Sequence, residues 1–209
     1  MTTGFPEADL PAGWVLQETL ASTPVSRTWR VLADGRPAVL RVDGPAARRL
    51  GLNRAAEPGV LRAVAAAGFG PACLAADPAR GTLLTAWLPG RAWSAADLRE
   101  PANLGRAAGL LRRVHGLPVA GPDLDLAAAI DRYAALGGPR AAAAARTARN
   151  RLARCLAAGN GAGAGADGPC LCHNDPTSGN FIAAPDGSLR LIDWEYAGPG
   201  QARLNDLCH

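Results

Sequence analysis

The chain has 209 residues, 48% of them hydrophobic, which is enough apolar material for one compact domain or two small lobes. Its formal net charge of +4 rests on 22 basic residues, scattered with Arg48-Arg49 and Arg112-Arg113 as the densest pairs, and without a basic stripe interleaved with aromatics this argues against a nucleic-acid partner. No apolar run reaches the roughly 18 residues of a membrane span, and five cysteines with no CxxC pair and no secretory leader fit a soluble protein of the reducing cytosol.

All the basic residues are arginine, so a cation that meets a phosphate here must be arginine or a metal. The first dozen residues, with Pro6 and Pro11, predict a loose lead-in. Residues 14–20, 27–33 and 37–42, rich in Val, Leu, Thr and Trp, predict three antiparallel strands, with Asp34-Gly35 as the turn between the last two. An Arg- and Ala-rich stretch follows, in which Pro58 suits the first turn of a helix that stops at Gly68. Residues 72–76 and 81–88 predict two more strands, so the chain opens with a lobe of five strands and one helix. After Pro89-Gly90 the pattern turns helical, over 95–99, 102–114, 124–136 and 140–158. His115, at the end of the second of these, reads as structural. The stretch GNGAGAGADG, residues 159–168, predicts a mobile Gly/Ala linker.

The linker leads into LCHNDPTSGNFIAAPDGSLRLIDWEYAG, residues 171–198. His173, Asp175 and Asn180 fall in a loop after a short apolar strand, 170–172. Two strands, 181–184 and 189–192, joined at Asp186-Gly187, bring Asn180 near Asp193. An amide oxygen and a carboxylate converging in this way suit Mg²⁺, a hard cation that takes oxygen ligands and completes its shell with phosphates. Asp175 is then left to orient or deprotonate an attacking hydroxyl. Each residue also has a plainer role. Asp175 precedes a proline and could form a turn, Asn180 could open a strand, and His173 could be purely structural. Asp193 ends an apolar strand, where an uncompensated carboxylate is costly. A zinc site from Cys170, Cys172, His173, Cys208 and His209 is the remaining alternative, but neighbouring strand residues diverge and the usual two-residue spacer is missing.

The pattern HxDxxxxN followed by IDxE resembles the catalytic and metal-binding loops of the aminoglycoside phosphotransferase and choline kinase superfamily, small-molecule relatives of protein kinases. The form HNDPxxxNF…LIDWEYAG is most similar to bacterial choline and thiamine kinases. The resemblance implies an α+β, protein-kinase-like fold: a small, mainly β nucleotide-binding lobe over 1–89 and a mainly helical lobe over 90–209 that bears the catalytic hairpin. It makes Asp175 the catalytic base, with His173 buttressing its loop. Asn180 and Asp193 become Mg²⁺ ligands, with Glu195 a further acid near the metal.

In the front lobe the resemblance assigns ATP's phosphates to the loop 21–26, ASTPVS. This loop has no glycine, so the hydroxyls of Ser22, Thr23 and Ser26 would serve as donors. Arg41 takes the place of the phosphate-binding cation, Glu57 is its acidic partner, and Trp87 and Leu88 seat the adenine. Pro58 pushes Glu57 out of helical geometry, and a helix cap is that residue's competing role. The implied reaction is transfer of the γ-phosphoryl group of ATP to an alcohol, with choline, ethanolamine or thiamine as acceptor and an aminoglycoside as the alternative. Members of the superfamily continue past the metal motif, whereas this chain stops at His209, so a truncated or inactive nucleotide-binding form is the competing expectation.

Overall fold

The structure is a computed structural model that describes residues 13–52, 54–118, 126–162, 170–200 and 206. The chain forms two compact units. One comprises the residues up to Ala47 with Cys73–Trp87, and the other comprises Arg48–Ala72 with the residues from Leu88 onward.

The first unit is a five-stranded antiparallel sheet. Its strands are β1 (Trp14–Ser22), β2 (Ser26–Ala33), β3 (Arg36–Asp43), β4 (Cys73–Asp77) and β5 (Thr82–Ala86), in the order β1-β2-β3-β5-β4. Alternation along β2 and β3 buries Trp29, Val31, Ala33, Ala38 and Leu40, which meet Leu84 of β5 in one apolar cluster. The turn between β2 and β3 places both Asp34 and Gly35 at positive φ, 50° and 75°, as a two-residue hairpin requires. Arg41 lies in the middle of the sheet, opposite Thr28 on one side and Leu83 on the other, and is only 9% exposed.

Helix α1 (Pro45–Leu50) leads from β3 toward the second unit, which holds α2 (Glu57–Ala66), β6 (Arg91–Ala92), α3 (Ala95–Arg99), α4 (Pro101–Val114), α5 (Leu126–Ala162), β7 (Cys170–Cys172), β8 (Phe181–Ala183), β9 (Leu189–Leu191) and β10 (Gly198–Gly200). Two findings here differ from the sequence reading. Segment 48–72, expected in the strand-rich lobe, groups with the second unit, where Phe69, just after α2, accepts a backbone hydrogen bond from Leu191 of β9 at 2.7 Å. Helix α2 also starts one residue early. Glu57 is its first residue and Pro58 its second, and a first-turn proline gives up no helical hydrogen bond.

The buried face of α2 is Val60, Leu61 and Val64, and that of α4 is Ala107, Leu110, Leu111 and Val114. Strands β6, β8 and β9 form one small antiparallel sheet, and β7 pairs with β10 in another. Trp93 stacks on Phe181 with ring centroids 5.3 Å apart and donates its backbone N–H to the Phe181 carbonyl. At the start of α3, Asp97 accepts two bonds from Arg91 and two from Ser94, which hold its carboxyl well below the usual carboxylate range.

The two helices expected over 124–136 and 140–158 are halves of α5, broken at Gly138 (φ 71°, ψ −165°) just before Pro139. Residues 159–162 of the expected linker are helical, and 163–168 lie outside the described residues. Among the described residues no helix is long and apolar enough to cross a membrane.

Candidate active site

Strand β7 is buried throughout and delivers the chain to His173, which has no exposed surface. Both ring nitrogens of His173 have partners. Nε2 faces the carbonyl of Ile192 at 2.9 Å, and Nδ1 receives the backbone N–H of Asp175 at 3.3 Å. A carbonyl can only accept and an N–H can only donate, so the ring is the neutral Nε2–H tautomer. One imidazole thus joins the start of the Asp175 loop to the residue before Asp193. Its ring also packs edge-on against Trp194, with centroids 4.6 Å apart.

Asn174 turns the chain with φ of 64°, a value that asparagine tolerates better than most residues, and its side-chain amide donates to the Tyr196 carbonyl at 2.8 Å. The backbone N–H groups of His173 and Asn174 both end on the buried carboxylate of Asp206, at 2.9 and 2.7 Å, and His115 meets the same carboxylate at 2.9 Å. Burial acts to raise the Asp206 pKa, but the His115 bond and the two backbone N–H groups outweigh it and keep the carboxyl below its usual range.

Asp175 is half-buried. The side-chain nitrogen of Asn180 donates to its carbonyl at 2.8 Å and to its carboxylate at 3.2 Å. A single 3-10 turn, Ser178–Asn180, makes this possible, and the N–H of Ile192 bonds to the Asn180 carbonyl across the hairpin. With its nitrogen committed to Asp175, the amide oxygen of Asn180 is the atom of that side chain that could hold a cation. Asp193 follows Ile192 as an exposed carboxylate on left-handed backbone, φ 64°, and is held between the buried residues Leu191 and Trp194. The donors are oxygen atoms of one amide and one carboxylate, the chemistry that Mg²⁺ prefers.

The predicted residues beyond this group fall in different places. Glu195 is 11% exposed and accepts a 2.8 Å bond from Arg54, which also reaches Glu57 at 3.4 Å. Glu57 is 4% exposed at the head of α2. In the first unit, the turn after β1 closes on itself. Thr23 Oγ1 accepts the N–H groups of Val25 and Ser26 and donates to the Ser26 carbonyl, so this hydroxyl is already used within the turn. Gly44 meets the same turn from β3: its N–H bonds to the Val25 carbonyl, and a Cβ there would lie 2.5 Å from the Pro24 oxygen. Arg41 is on β3 and Trp87 just beyond β5, where the Arg30 guanidinium covers its ring at 4.6 Å. Leu88 begins the next stretch of the second unit.

Sequence reasoning missed two residues, Arg54 and Asp206. The one available signal for Asp206 was an acid set among Leu204, Leu207 and Cys208, an unfavourable setting without partners. Nothing in the sequence around Arg54 marks it. A zinc site at His173 does not fit, since both its ring nitrogens are engaged, and Cys208 and His209 lie outside the described residues. A second cluster, His115, Cys172 and Asp206, has its ligand atoms within 4.8 Å of one another, but the Asp206 oxygens are taken by three hydrogen bonds.

No curated protein matches the chain. Several solved structures share its fold. A choline/ethanolamine kinase family protein from Mesorhizobium loti is 27% identical, with a TM-score of 0.66 over 91% of this chain and 61% of that one. The choline kinase LicA from Streptococcus pneumoniae is 19% identical, with a TM-score of 0.71 over 93% of this chain and 66% of its own. A thermostable mutant of the aminoglycoside phosphotransferase APH(4)-Ia, in a ternary complex with ADP and hygromycin B, is 19% identical, with a TM-score of 0.63 over 91% of this chain and 69% of its own. The chain therefore spans about two thirds of the length of these proteins or less. Residues 19–204 match the description "Phosphotransferase enzyme family", so a run that includes the whole hairpin and the first sheet from the middle of β1 onward carries the family's pattern. The chain belongs to that phosphotransferase family, within the superfamily that its HND and IDWE motifs resemble.

Proposed function

We propose that this chain is the catalytic core of an ATP-dependent kinase that phosphorylates the hydroxyl of a small molecule in the cytoplasm, with choline or ethanolamine as the first acceptors to test and thiamine next. The observation that carries this reading is the bond from Asn180 Nδ2 to Asp175. It orients the carboxylate and commits the nitrogen of Asn180, which leaves the amide oxygen as that side chain's atom for a cation.

In this reading Asp175 accepts the proton of the acceptor hydroxyl as its oxygen bonds to the γ-phosphorus. The bond from that phosphorus to the bridging oxygen of ADP breaks, and the proton then passes from Asp175 to solvent. Asn180 and Asp193 would hold Mg²⁺, which when bound neutralises phosphate charge. The reading gives Arg41 the phosphate-binding role that lysine plays in most kinases. His173 has no part in proton transfer, because both its nitrogens are occupied in holding the two motifs together.

The relatives' substrates support the acceptor class. One similar protein is described as a choline/ethanolamine kinase family protein, another as a choline kinase and a third as an ethanolamine kinase. The structure of APH(4)-Ia with hygromycin B keeps an aminoglycoside as the second acceptor class. A nucleotide-binding protein without turnover is the reading that the self-closed Thr23 turn favours.

Mg-dependent ADP release, measured with choline, ethanolamine, thiamine and an aminoglycoside beside Asp175→Asn, separates these. One acceptor should stimulate release, and the variant should lose on the order of 10²-fold or more of that rate. ATP binding with no acceptor raising the rate above that of Asp175→Asn would leave a binding module in place of an enzyme.

A further inference from the structure

We propose that Arg54 is a positioning residue for the metal-binding loop, clamping Glu195 and thereby fixing how Asp193 presents its carboxylate. The inference rests on the reading above, in which Asp193 holds the cation. It gives Glu195 a different role from that of a metal ligand.

Arg54 lies in the connection between α1 and α2, and its Nη1 bonds to Glu195 at 2.8 Å and Glu57 at 3.4 Å. The three side chains are 9%, 11% and 4% exposed, so the charges meet with little water to screen them. The bond to Glu195 joins residues 141 positions apart, and so ties the metal motif to the head of α2. On the two sides of Asp193 the chain is fixed differently. Before it, the Ile192 carbonyl takes the His173 bond and the Ile192 N–H bonds to Asn180. After it, Trp194 is buried with its indole N–H on the Leu191 carbonyl, and Glu195 is held by Arg54. Asp193 is the exposed residue of this run, and its left-handed backbone persists because both flanks are tied. Without Arg54, Glu57 and Glu195 would lose a shared counter-charge, and the Glu195 flank would lose its 2.8 Å tie to the connection between α1 and α2.

The test is Mn²⁺ binding in the presence of ADP, read from the electron paramagnetic resonance signal of free Mn²⁺, with the full chain and its variants. Arg54→Met should weaken binding about 10-fold, the scale on which residues behind a ligand act, and Arg54→Lys should restore part of it. Glu195→Gln should weaken binding several-fold, and the double variant should be no weaker than the poorer single one. If Arg54→Met does not fold, Glu195→Gln carries the test alone, and wild-type affinity there overturns the inference. Unchanged affinity in a folded Arg54→Met with a lowered Tm would make Arg54 merely structural. Tighter binding would show that the released Glu195 is itself a ligand. Asp193→Asn is the control for the underlying reading: if it too binds Mn²⁺ as wild type does, the metal assignment fails and the inference falls with it.

Discussion

His173 and Ile192 are joined by a 2.9 Å bond from an imidazole N–H to a backbone carbonyl, so the loop bearing Asp175 and the loop bearing Asp193 share one buried ring. The same ring accepts the Asp175 N–H on its other nitrogen. A long-range ¹H–¹⁵N spectrum should therefore show His173 as the Nε2–H tautomer. An Nδ1–H signal would mean that the two motifs are not linked in this way.

Asp206 makes stability depend on acid. Its pKa is lowered in the folded chain, so the unfolded state takes up a proton first as pH falls. The contribution is complete above the unfolded value of about 3.9 and is lost as pH drops from there toward the lower folded value. Urea unfolding across that window should show a larger loss in the wild-type chain than in Asp206→Asn, which should be about 2 kcal/mol less stable at neutral pH. Equal acid sensitivity of the two proteins would put the effect elsewhere.

Gly70 is required by a close approach. A Cβ there would lie 2.8 Å from Val64 Cγ2, 2.9 Å from Trp194 Nε1 and 3.2 Å from the Leu191 carbonyl oxygen, all in the packed region behind the hairpin. Gly70→Ala should cost about 1–3 kcal/mol in thermal or urea unfolding. Gly105, inside α4 with nothing within 4 Å of such a Cβ, is the contrast. Gly105→Ala should stabilise by about 0.5–1 kcal/mol, and a loss there would mean that helix propensity is not the deciding term.

Asp193 separates backbone strain from chemistry. At φ 64° glycine is relaxed and alanine is not, so Asp193→Gly should be more stable than Asp193→Ala by about 1 kcal/mol, the reverse of the usual order. Both should lose Mg-dependent phosphoryl transfer, because neither keeps the carboxylate. Equal stability of the two would show that the left-handed backbone is not strained there.

The strands and the hairpin were legible because their signals are local. Alternation over β2 and β3, the Asp34-Gly35 and Asp186-Gly187 turns, and the placing of Asp175, Asn180 and Asp193 all lie within short windows. What the sequence hid depends on contacts between distant positions. No pattern around Arg54 announces a partner at 195, and the three bonds on Asp206 come from residues 115, 173 and 174. The start of α2 was misjudged for a different reason. The bias against helical geometry before proline is a tendency, and in a first turn, where no N–H is needed, Glu57 can take the helical conformation.

The distance along the chain from His115 to Asp206, 91 positions, also bears on the order of folding. The hairpins of the first sheet pair neighbours in sequence and can close early, since short loops cost little entropy. The loop of His173 and Asn174 has its N–H groups satisfied only once Asp206 has come back to it from 33 and 32 positions further on. On a refolding chain the sheet should therefore become protected against hydrogen exchange before the loop of His173 and Asn174 does, and the candidate site would take shape only after its scaffold.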